Sequence, residues 1–370
     1  MGAVAKAITA LIATFIAIAA FYYVVNDTNY LNGFGTTFQI PATISSDFSR
    51  NFTFSVSSDS GENFSFFFTP PITDYLQQSS ISISHSSNIK EETINDNSQN
   101  RTFVELNIYP GISYVNISYR EVSNGKSWQY LLNSTSTVSQ IPSSLRIKYD
   151  HPEYFNSSGR SLEVINPSFF RAMTLNITRN DSTVVEELRS IYNYIVQNYQ
   201  YNISYNLGNI PLSAQQVYNL KMGDCEELSY LFESMSRSIG IPSWTQYGLL
   251  VQNVNGQTSL GEHAWVQTFI PSHNGTGTFV NIDLTVEVGG QDLGRGFLVK
   301  FPNSIVEWTD NGNSSAMVAY HTELITPSTG LSIMEKETVD IYSFIQSGEI
   351  VIAHENAFNL LVTNISKEEA

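Results

Sequence analysis

The feature that most constrains the fold is a change of hydrophobic period along the chain. From about Thr36 to Tyr149 apolar and polar residues alternate in short runs separated by turn residues. In "NFTFSVSSDS", for example, Phe52, Phe54 and Val56 share one face. Alternation with period two predicts half-buried strands, and several short strands with such turns predict a β-sandwich. The chain shows no repeat of 20–50 residues, which excludes a solenoid.

Helical periodicity follows. The segment "STVVEELRSIYNYIVQNYQY" repeats apolar residues every three or four positions, and Thr183 and Glu186 form a capping-box pattern. A second helix is predicted to begin within "KMGDCEELSY" and to end before Gly240 and Pro242. After Trp244 the strand period returns in "HAWVQTFI" and "FVNIDLTV", which the Gly-containing segment "PSHNGTGT" joins.

The amino-terminal stretch "AITALIATFIAIAAFYYVV", residues 7–25, contains 19 consecutive residues without a charge. Its length suits a transmembrane helix, and Tyr22 and Tyr23 suit an interfacial aromatic belt. A signal peptide cleaved near Ala17-Ile18-Ala19 is the alternative. Both interpretations export the rest of the chain. We predict an uncleaved single-pass anchor in the cell membrane, with the remaining domains extracytoplasmic.

The sequons support an extracytoplasmic location, and the charge balance limits the kinds of partner. The chain has 18 Lys and Arg against 34 Asp and Glu, a formal net charge of -16. This balance argues against a nucleic acid or an anionic lipid surface as the partner. Thirteen N-x-S/T sequons, more than chance predicts, fit a glycosylated outer surface. They lie at Asn26, Asn51, Asn63, Asn100, Asn116, Asn133, Asn156, Asn176, Asn180, Asn202, Asn274, Asn313 and Asn364.

These patterns divide the chain into five predicted segments. Strand and loop patterns continue beyond the helical region, and no boundary there is marked by a charge run or a repeat. The segments are a cytoplasmic tail (1–6), an anchor (7–25), a β-sandwich-like domain (26–165), a catalytic core (166–300) and a β-rich extension (301–370).

The single cysteine, Cys225, cannot form an intrachain disulfide and makes a poor metal site alone. Asp224 and Glu227 predict a helix cap that places Cys225 in the first turn, where backbone N–H groups and the helix dipole favour a thiolate and can stabilise an oxyanion. The acidic neighbours act in the opposite sense and raise the thiol pKa. Leu228 and Phe232 share its helix face, so a buried, inert cysteine is the alternative.

A nucleophilic thiol needs a base and a group that orients the base. His263 and Asp283 lie on the two strands that follow the second helix. In a hairpin centred near His273 they would lie directly opposite each other, whereas a turn at Asn274-Gly275 would shift the register by about three residues. The sequence therefore predicts that a Cys–His–Asp triad is geometrically feasible.

The segments "GDCEELSYLFESMSRSIGIPSW", "EHAWVQTF" and "TFVNIDLT" occur in the order and spacing of the transglutaminase-like core, which transglutaminases share with related cysteine peptidases. The helix "LRSIYNYIVQNYQYNISY" also resembles the segment that precedes the nucleophile in that superfamily. The resemblance covers about residues 184–286. It implies an α+β, papain-like core with Cys225 as the nucleophile, His263 as the base and Asp283 as its orienter.

The sequence departs from the family pattern at two points. Phe279 stands where the family commonly has Trp, four residues before the aspartate. The upstream side chain that often completes the oxyanion hole has no clear counterpart, and Gln215 and Gln216 are the candidates.

The leading interpretation is a thiol hydrolase that cleaves amide bonds of a protein or peptide substrate through an acyl-enzyme, without a metal or cofactor. A transamidating cross-linker is the alternative chemistry. A non-catalytic surface or envelope protein that uses its β-domain for binding is the alternative class, and residues 1–25 alone would also suit a pilin-like subunit. The sequence does not specify the oligomeric state.

Overall fold

The structure is a computed structural model of the chain. It describes residues 37–58, 63–96, 101–157, 160–202, 211–254, 257–272, 276–286, 294–313, 322–325 and 331–353. The predicted tail and anchor lie outside these residues. Among the described residues, no helix combines the length and apolar character needed to cross a bilayer.

The described elements alternate between strand-rich and helix-rich regions, as the sequence periods predict. The strands are β1 (Thr37–Ser58), β2 (Phe64–Phe68), β3 (Gln77–His85), β4 (Ile89–Asp96), β5 (Arg101–Ile108), β6 (Gly111–Asn124), β7 (Lys126–Ser127), β8 (Glu153–Ser157), β9 (Arg160–Ile165), β10 (Gln200–Tyr201), β11 (Met222–Gly223), β12 (Ser243–Val254), β13 (Gln257–Pro271), β14 (Gly277–Ile282), β15 (Val299–Lys300), β16 (Ser304–Thr309), β17 (Thr322–Ile325) and β18 (Leu331–Ala353). The helices are α1 (Ser143–Tyr149), α2 (Pro167–Ile177), α3 (Val184–Asn198), α4 (Ala214–Leu220) and α5 (Cys225–Ser238), with short 3-10 turns at Gln129–Asn133 and Val138–Gln140.

Two antiparallel four-stranded sheets form a β-sandwich. Their strand orders are β18-β1-β6-β3 and β17-β2-β5-β4. Alternate side chains point inward from each strand, so that Phe52 and Phe54 of β1 meet Phe66 of β2 with ring centroids 4.9 and 5.2 Å apart. This apolar core is the physical reason for the period-two pattern in the sequence.

The domain boundaries differ from the predicted ones at both ends of the sandwich. Strand β18 pairs with β1, and β17 pairs with β2, so the carboxy-terminal strands complete the sandwich instead of forming a separate extension. Conversely, Trp128, Tyr149, Phe155 and Ile165 are buried in the helix-containing core. Strand periodicity shows which side chains are buried, but it does not show which strands pair with each other. A pairing between distant segments therefore leaves no local signal in the sequence.

The second core lies between helices α3 and α5 and the antiparallel sheet β14-β13-β12-β16. Helix α3 begins with the predicted capping box, in which Thr183 Oγ1 accepts from the Glu186 N–H at 3.2 Å. Seven of its apolar residues are buried, and they follow the three- and four-residue spacing seen in the sequence. The core is thus α+β, with the helix that carries Cys225 packed on the central sheet.

The two cores adjoin through the central sheet. Leu249 and Val251 of β12 and Ile305 of β16 are buried in the sandwich core. Beside them, the buried Lys300 ammonium donates to Ser123 Oγ at 2.8 Å and to the carbonyls of Asn124 and Ser304 at 3.3 Å each, and burial lowers its pKa to about 8. The junction is therefore partly polar, and its buried charges depend on specific hydrogen bonds.

Glu121 is a buried carboxyl group at this junction. Its side chain accepts from Ser79 Oγ, and burial, with a further contribution from the charge of Glu307, raises its pKa to about 8. Burial is also the main cause that raises the pKa of Asp310 to about 8. These carboxyl groups hold protons in the folded state at pH values at which the unfolded chain has lost them.

We expect stability to fall as the pH rises. These two groups bind more protons in the folded chain between about pH 4.5 and 8, so the stability that they contribute is fully present below that window and is lost through it. Glu121→Gln, which mimics the protonated acid, should flatten part of this slope and raise the free energy of unfolding at pH 9 by on the order of 2 kcal/mol. Urea unfolding between pH 5 and 9 measures both effects. The exposed Glu349→Gln serves as the control, and an unchanged slope in Glu121→Gln would contradict the assignment.

Candidate active site

Cys225 is the first residue of α5, as the capping pattern predicts. Asp224 Oδ1 accepts from the Glu227 N–H at 3.0 Å, and Glu227 Oε2 accepts from the Asp224 N–H at 3.1 Å. Glu227 also accepts from the Leu212 N–H at 2.8 Å, which ties the segment before α4 to the start of α5. Both acidic neighbours therefore act in the helix cap, and together they hold the cysteine at the helix amino terminus.

The Cys225 sulfur is half-buried against β12 and β13. The backbone N–H of Ala264, the residue next to His263, acts to lower the pKa of the thiol. The side chain packs beside Tyr247, Ala264 and Trp308, and the rings of Tyr247 and Trp308 stack at 4.9 Å. The sulfur is thus placed at the strand that carries His263.

The pKa of the Cys225 thiol lies well above its ordinary value. Burial is the largest cause, followed by the negative charge of Asp224; Glu226 and Asp283 act in the same sense, and the Ala264 N–H opposes them. The expected easing of thiolate formation at the helix amino terminus is therefore outweighed by desolvation. The free protein holds a neutral thiol at neutral pH, so a base must remove its proton during attack.

His263 and Asp283 form a buried pair. Their side chains are 6% and 5% exposed, and His263 Nε2 lies 2.8 Å from Asp283 Oδ2. Asp283 Oδ1 accepts from the backbone N–H of Thr285 at 3.0 Å and from its hydroxyl at 2.7 Å. Because the carboxylate accepts from Nε2, the other ring nitrogen, Nδ1, is available to take a proton from the thiol.

The register between β13 and β14 differs from the directly opposed pair that we considered. Val266 pairs with Ile282, and continuing this register places Asp283 opposite Trp265, two residues from His263. A shift of two residues keeps the side chains on the same face, and diagonal neighbours on adjacent strands lie within reach of long side chains. The turn that sets the register lies outside the described residues.

The backbone of Asp283 is held by Gly296. The Asp283 N–H donates to the Gly296 carbonyl at 2.8 Å. A Cβ atom on Gly296 would lie 1.9 Å from the Asp283 carbonyl oxygen and 2.9 Å from the Tyr192 hydroxyl. Only glycine allows this approach without displacing the segment that carries Asp283.

Tyr201 is a site residue that the sequence analysis did not identify. It lies on β10, whose two residues pair in parallel with β11 just before Cys225. Burial, followed by the negative charges of Cys225 and Asp224, raises the pKa of its hydroxyl well above the ordinary value. The resemblance included the segment "YQYNISY", but no local pattern shows which of its tyrosines lies near the thiol.

The oxyanion candidates Gln215 and Gln216 lie in the first turn of α4. Gln216 Oε1 accepts from the Ser213 N–H at 2.8 Å and from its hydroxyl at 3.0 Å in the capping box of α4, and Gln215 is exposed. Neither is among the groups described here as contacting Cys225. Phe279, at the other departure from the family pattern, packs against Trp244 and Phe269 with centroids 5.6 and 5.3 Å apart.

The sequon asparagines differ in their surroundings. Asn51 and Asn116 face each other across β1 and β6, where Asn116 Nδ2 donates to Asn51 Oδ1 at 2.6 Å. The exposed sequon asparagines in the described residues are Asn133, Asn176 and Asn180. Those outside the described residues are Asn26, Asn100, Asn274 and Asn364.

The carboxy-terminal half of α5 is anchored by a buried charge cluster. Arg237 donates to Glu153 and, at 2.9 Å, to Glu233, and it lies 3.7 Å from Asp310. Its Nε also donates to the Ser243 carbonyl at 2.8 Å. Burial raises the pKa of Glu233 and Asp310, so the cluster holds protons in addition to the guanidinium charge. This cluster fixes α5 against the sheet on which His263 lies.

Within the described ranges, no group of three or more His, Cys, Asp or Glu side chains is arranged to hold a metal ion.

Comparisons with known proteins show what the chain is similar to. Residues 171–284 match the family model of the transglutaminase-like superfamily. A proposed cysteine protease from Cytophaga hutchinsonii has a similar structure, with a TM-score of 0.57, 15% identity, and coverage of 86% of this chain and 100% of that chain. The periplasmic domain of TgpA from Pseudomonas aeruginosa gives a TM-score of 0.35 and 12% identity, and the match covers 70% of this chain and 96% of that chain. Red sea bream transglutaminase gives a TM-score of 0.31 and 13% identity, and the match covers 65% of this chain and 47% of that chain.

A comparison with curated protein sequences gives no significant match. The family match and the shared fold define the class: the chain contains a transglutaminase-like domain. Members of this superfamily are typically cysteine enzymes, either proteases or transglutaminases.

Proposed function

We propose that the chain is a thiol enzyme that acts on amide bonds of proteins or peptides through an acyl-enzyme on Cys225. The observation that carries this proposal is the buried His263–Asp283 pair next to the cysteine, which packs against Ala264, the residue that follows His263. A binding protein has no need of a buried imidazole oriented by a carboxylate beside a thiol at a helix amino terminus.

In the first half-reaction His263 Nδ1 accepts the thiol proton while the sulfur attacks the substrate carbonyl carbon. The new S–C bond sends the carbonyl π electrons to oxygen and forms a tetrahedral oxyanion. When this intermediate collapses, the C–N bond breaks, and the imidazolium donates its proton to the leaving amine. Asp283 stabilises the imidazolium and keeps the ring in the tautomer with its proton on Nε2.

In the second half-reaction a nucleophile attacks the thioester carbon and His263 accepts its proton. Water gives a carboxylic acid, which is hydrolysis, and a primary amine gives a new amide, which is transamidation. We favour hydrolysis because the sequence marks no amine-acceptor site. The S–C bond breaks in either case, and the proton returns to the thiol.

We further propose that the enzyme acts outside the cytoplasm and is anchored by residues 7–25. Supporting features are the uncharged apolar stretch and the number of sequons. The chain has a small fraction of charged residues and a net negative charge. This balance also suits a partner that is neither nucleic acid nor an anionic membrane.

Alkylation of Cys225 by iodoacetamide tests the catalytic proposal. Because Cys225 is the only cysteine, the label incorporated reports this site alone, and Cys225→Ala defines the background. We expect His263→Ala to lower the alkylation rate at pH 7 by about 10²-fold or more, since general-base assistance has this size. Mass spectrometry of the intact chain measures the rate.

Two outcomes would remove the support for catalysis: alkylation no faster than that of a free thiol, or equal rates in the wild type and His263→Ala. Either would favour the non-catalytic binding protein. For an active enzyme, covalent incorporation of a fluorescent primary amine into a glutamine-containing protein would identify transamidation, and release of a new carboxylate would identify hydrolysis.

A further inference from the structure

Gln246 is a buried side chain that links the four strands of the central sheet. It lies on β12, directly opposite Trp265 of β13 on one side and Thr309 of β16 on the other. Its Oε1 accepts from Trp265 Nε1 at 2.9 Å and from Asn281 Nδ2 of β14 at 3.0 Å, and its Nε2 donates to Thr309 Oγ1 at 3.1 Å. An indole N–H can only donate, so the atom that faces Trp265 is the amide oxygen. One oxygen therefore joins side chains of β13 and β14.

The two donors to this oxygen lie next to the candidate base and its carboxylate. Trp265 follows His263 by two residues, and Asn281 precedes Asp283 by two residues. Residues two apart along an extended segment share a face, so each donor lies beside one member of the pair. The ring centroids of His263 and Trp265 are 5.6 Å apart, and all four side chains are buried.

The register gives the two donors the same relative offset as the pair. Asn281 lies opposite the residue two positions beyond Trp265. Asp283, one step beyond the last paired residue of β14, would likewise lie opposite the residue two positions beyond His263. The two diagonals run in the same direction and are adjacent on one face. The Gln246 oxygen therefore closes a diagonal that is parallel to the His263–Asp283 hydrogen bond.

Backbone pairing does not reach the candidate base or its carboxylate. The ladder between β13 and β14 ends at Val266 and Ile282, three residues from His263 and one from Asp283. The bonds to the Gln246 oxygen cross-link the two strands at this end of the ladder. Their loss would remove a constraint on the strands where the pair depends on their exact alignment.

We propose that Gln246 is a positioning residue for the His263–Asp283 pair. By accepting from both Trp265 and Asn281, its Oε1 holds the diagonal alignment that places the Asp283 carboxylate on His263 Nε2. The catalytic consequence rests on the acyl transfer proposed above, in which this contact keeps Nδ1 free to take the thiol proton. Gln246 itself transfers no proton in this role.

Gln246→Met tests the inference, because methionine keeps an unbranched side chain of similar length and removes the oxygen. The first measurement is ¹⁵N NMR of histidine-labelled protein with the ring neutral, and His263→Ala identifies the His263 signals. The wild type should show the tautomer with its proton on Nε2. We expect Gln246→Met to shift these signals towards the tautomer mixture of a free imidazole, because the carboxylate no longer holds the ring in place.

The second measurement is acylation by p-nitrophenyl acetate, whose acetyl group forms a thioester on Cys225 and releases p-nitrophenolate in a rapid first turnover. The plateau acylation rate is the limiting rate of this burst at saturating ester and pH 7. We expect Gln246→Met to lower it by about 10²-fold, since a displacement of about 1 Å at a catalytic group has an effect of this size. Gln246→Glu should restore it to within about tenfold of the wild type, because a carboxyl oxygen can accept from both donors.

Thr309→Val is the matched control. It removes the bond that the same glutamine makes to β16 and leaves the two bonds to Oε1 in place. We expect its His263 signals to be unchanged and its plateau rate to stay within about twofold of the wild type, because the lost hydrogen bond acts on stability and not on the pair. Thermal unfolding shows whether each variant is folded.

Unchanged His263 signals in folded Gln246→Met would overturn the inference. So would an equal loss of rate in Thr309→Val, which would mean that any loosening of the sheet has the same effect. If Gln246→Met does not fold, Trp265→Phe removes one of the two donors and keeps an aromatic ring, and it must shift the same signals in the same sense. The proposed function fails separately if the wild type shows no burst beyond that of Cys225→Ala, whereas the NMR signals need no substrate and still decide whether Gln246 holds the pair.

Discussion

Asp283→Asn should lower the plateau acylation rate by about 10⁴-fold while leaving the fold intact. In the wild type the carboxylate accepts from His263 Nε2 at 2.8 Å, so the lone pair of Nδ1 remains available for the thiol proton. An amide at position 283 can donate to Nε2 instead, which shifts the ring proton to Nδ1 and removes the base. A wrong imidazole tautomer has a cost of this size in a Ser–His–Asp triad. The p-nitrophenyl acetate burst measures the rate.

Thr285→Val is the matched control for Asp283→Asn. It keeps the shape of the side chain and the backbone donor but removes the hydroxyl that lies 2.7 Å from Asp283 Oδ1. We expect about a tenfold loss, because the carboxylate keeps its charge and one of its two Thr285 donors. If Asp283→Asn also lost tenfold or less, the carboxylate would not set the tautomer, and the triad assignment would be wrong.

Arg237→Met should lower the free energy of unfolding by about 3–5 kcal/mol, which corresponds to a fall of roughly 10 °C in Tm. The guanidinium is the partner of buried Glu153 and Glu233 and lies near Asp310. Methionine fills much of the space but removes the cation and its hydrogen-bond donors from this buried acidic cluster. Thermal and urea unfolding at pH 7 measure the loss.

Two comparisons separate this effect from a general loss of charge. Arg120→Met removes an exposed arginine that bonds Asp47 at 3.0 Å, and it should change stability by less than about 0.5 kcal/mol. Adding Glu153→Gln and Glu233→Gln to Arg237→Met should restore part of the lost stability, because a neutral amide does not need the cation as its partner. A loss in Arg237→Met no greater than in Arg120→Met would show that the cluster carries little of the stability.

Much of the local structure could be predicted because its causes lie close together in the sequence. Thr183 with Glu186, and Asp224 with Glu227, satisfy backbone groups three residues away, so each cap is a local signal. The alternation of Phe52, Phe54 and Val56 likewise reflects a single strand with one buried face. These local features are enough to predict that Cys225 lies at the start of a helix.

The candidate site was predicted less completely. His263 and Asp283 could be placed on facing strands, but their register depends on the turn and is shifted by two residues from direct opposition. Tyr201 had no local signal, because its position near Cys225 depends on a parallel pairing between segments separated by a helix. The sense of the Cys225 pKa shift also depended on burial, which overrides the helix dipole.

The sequence by itself determined the periods of the strands and helices, the helix caps, and the presence of a thiol, an imidazole and a carboxylate in a recognisable order. These follow from interactions between residues a few positions apart. Only the tertiary structure decided that β17 and β18 complete the sandwich, that Tyr201 pairs with Gly223 just before the cysteine, and that Arg237 joins three acidic residues beneath α5. Such contacts depend on which surfaces meet when the chain buries its apolar area, and a local pattern does not encode that choice.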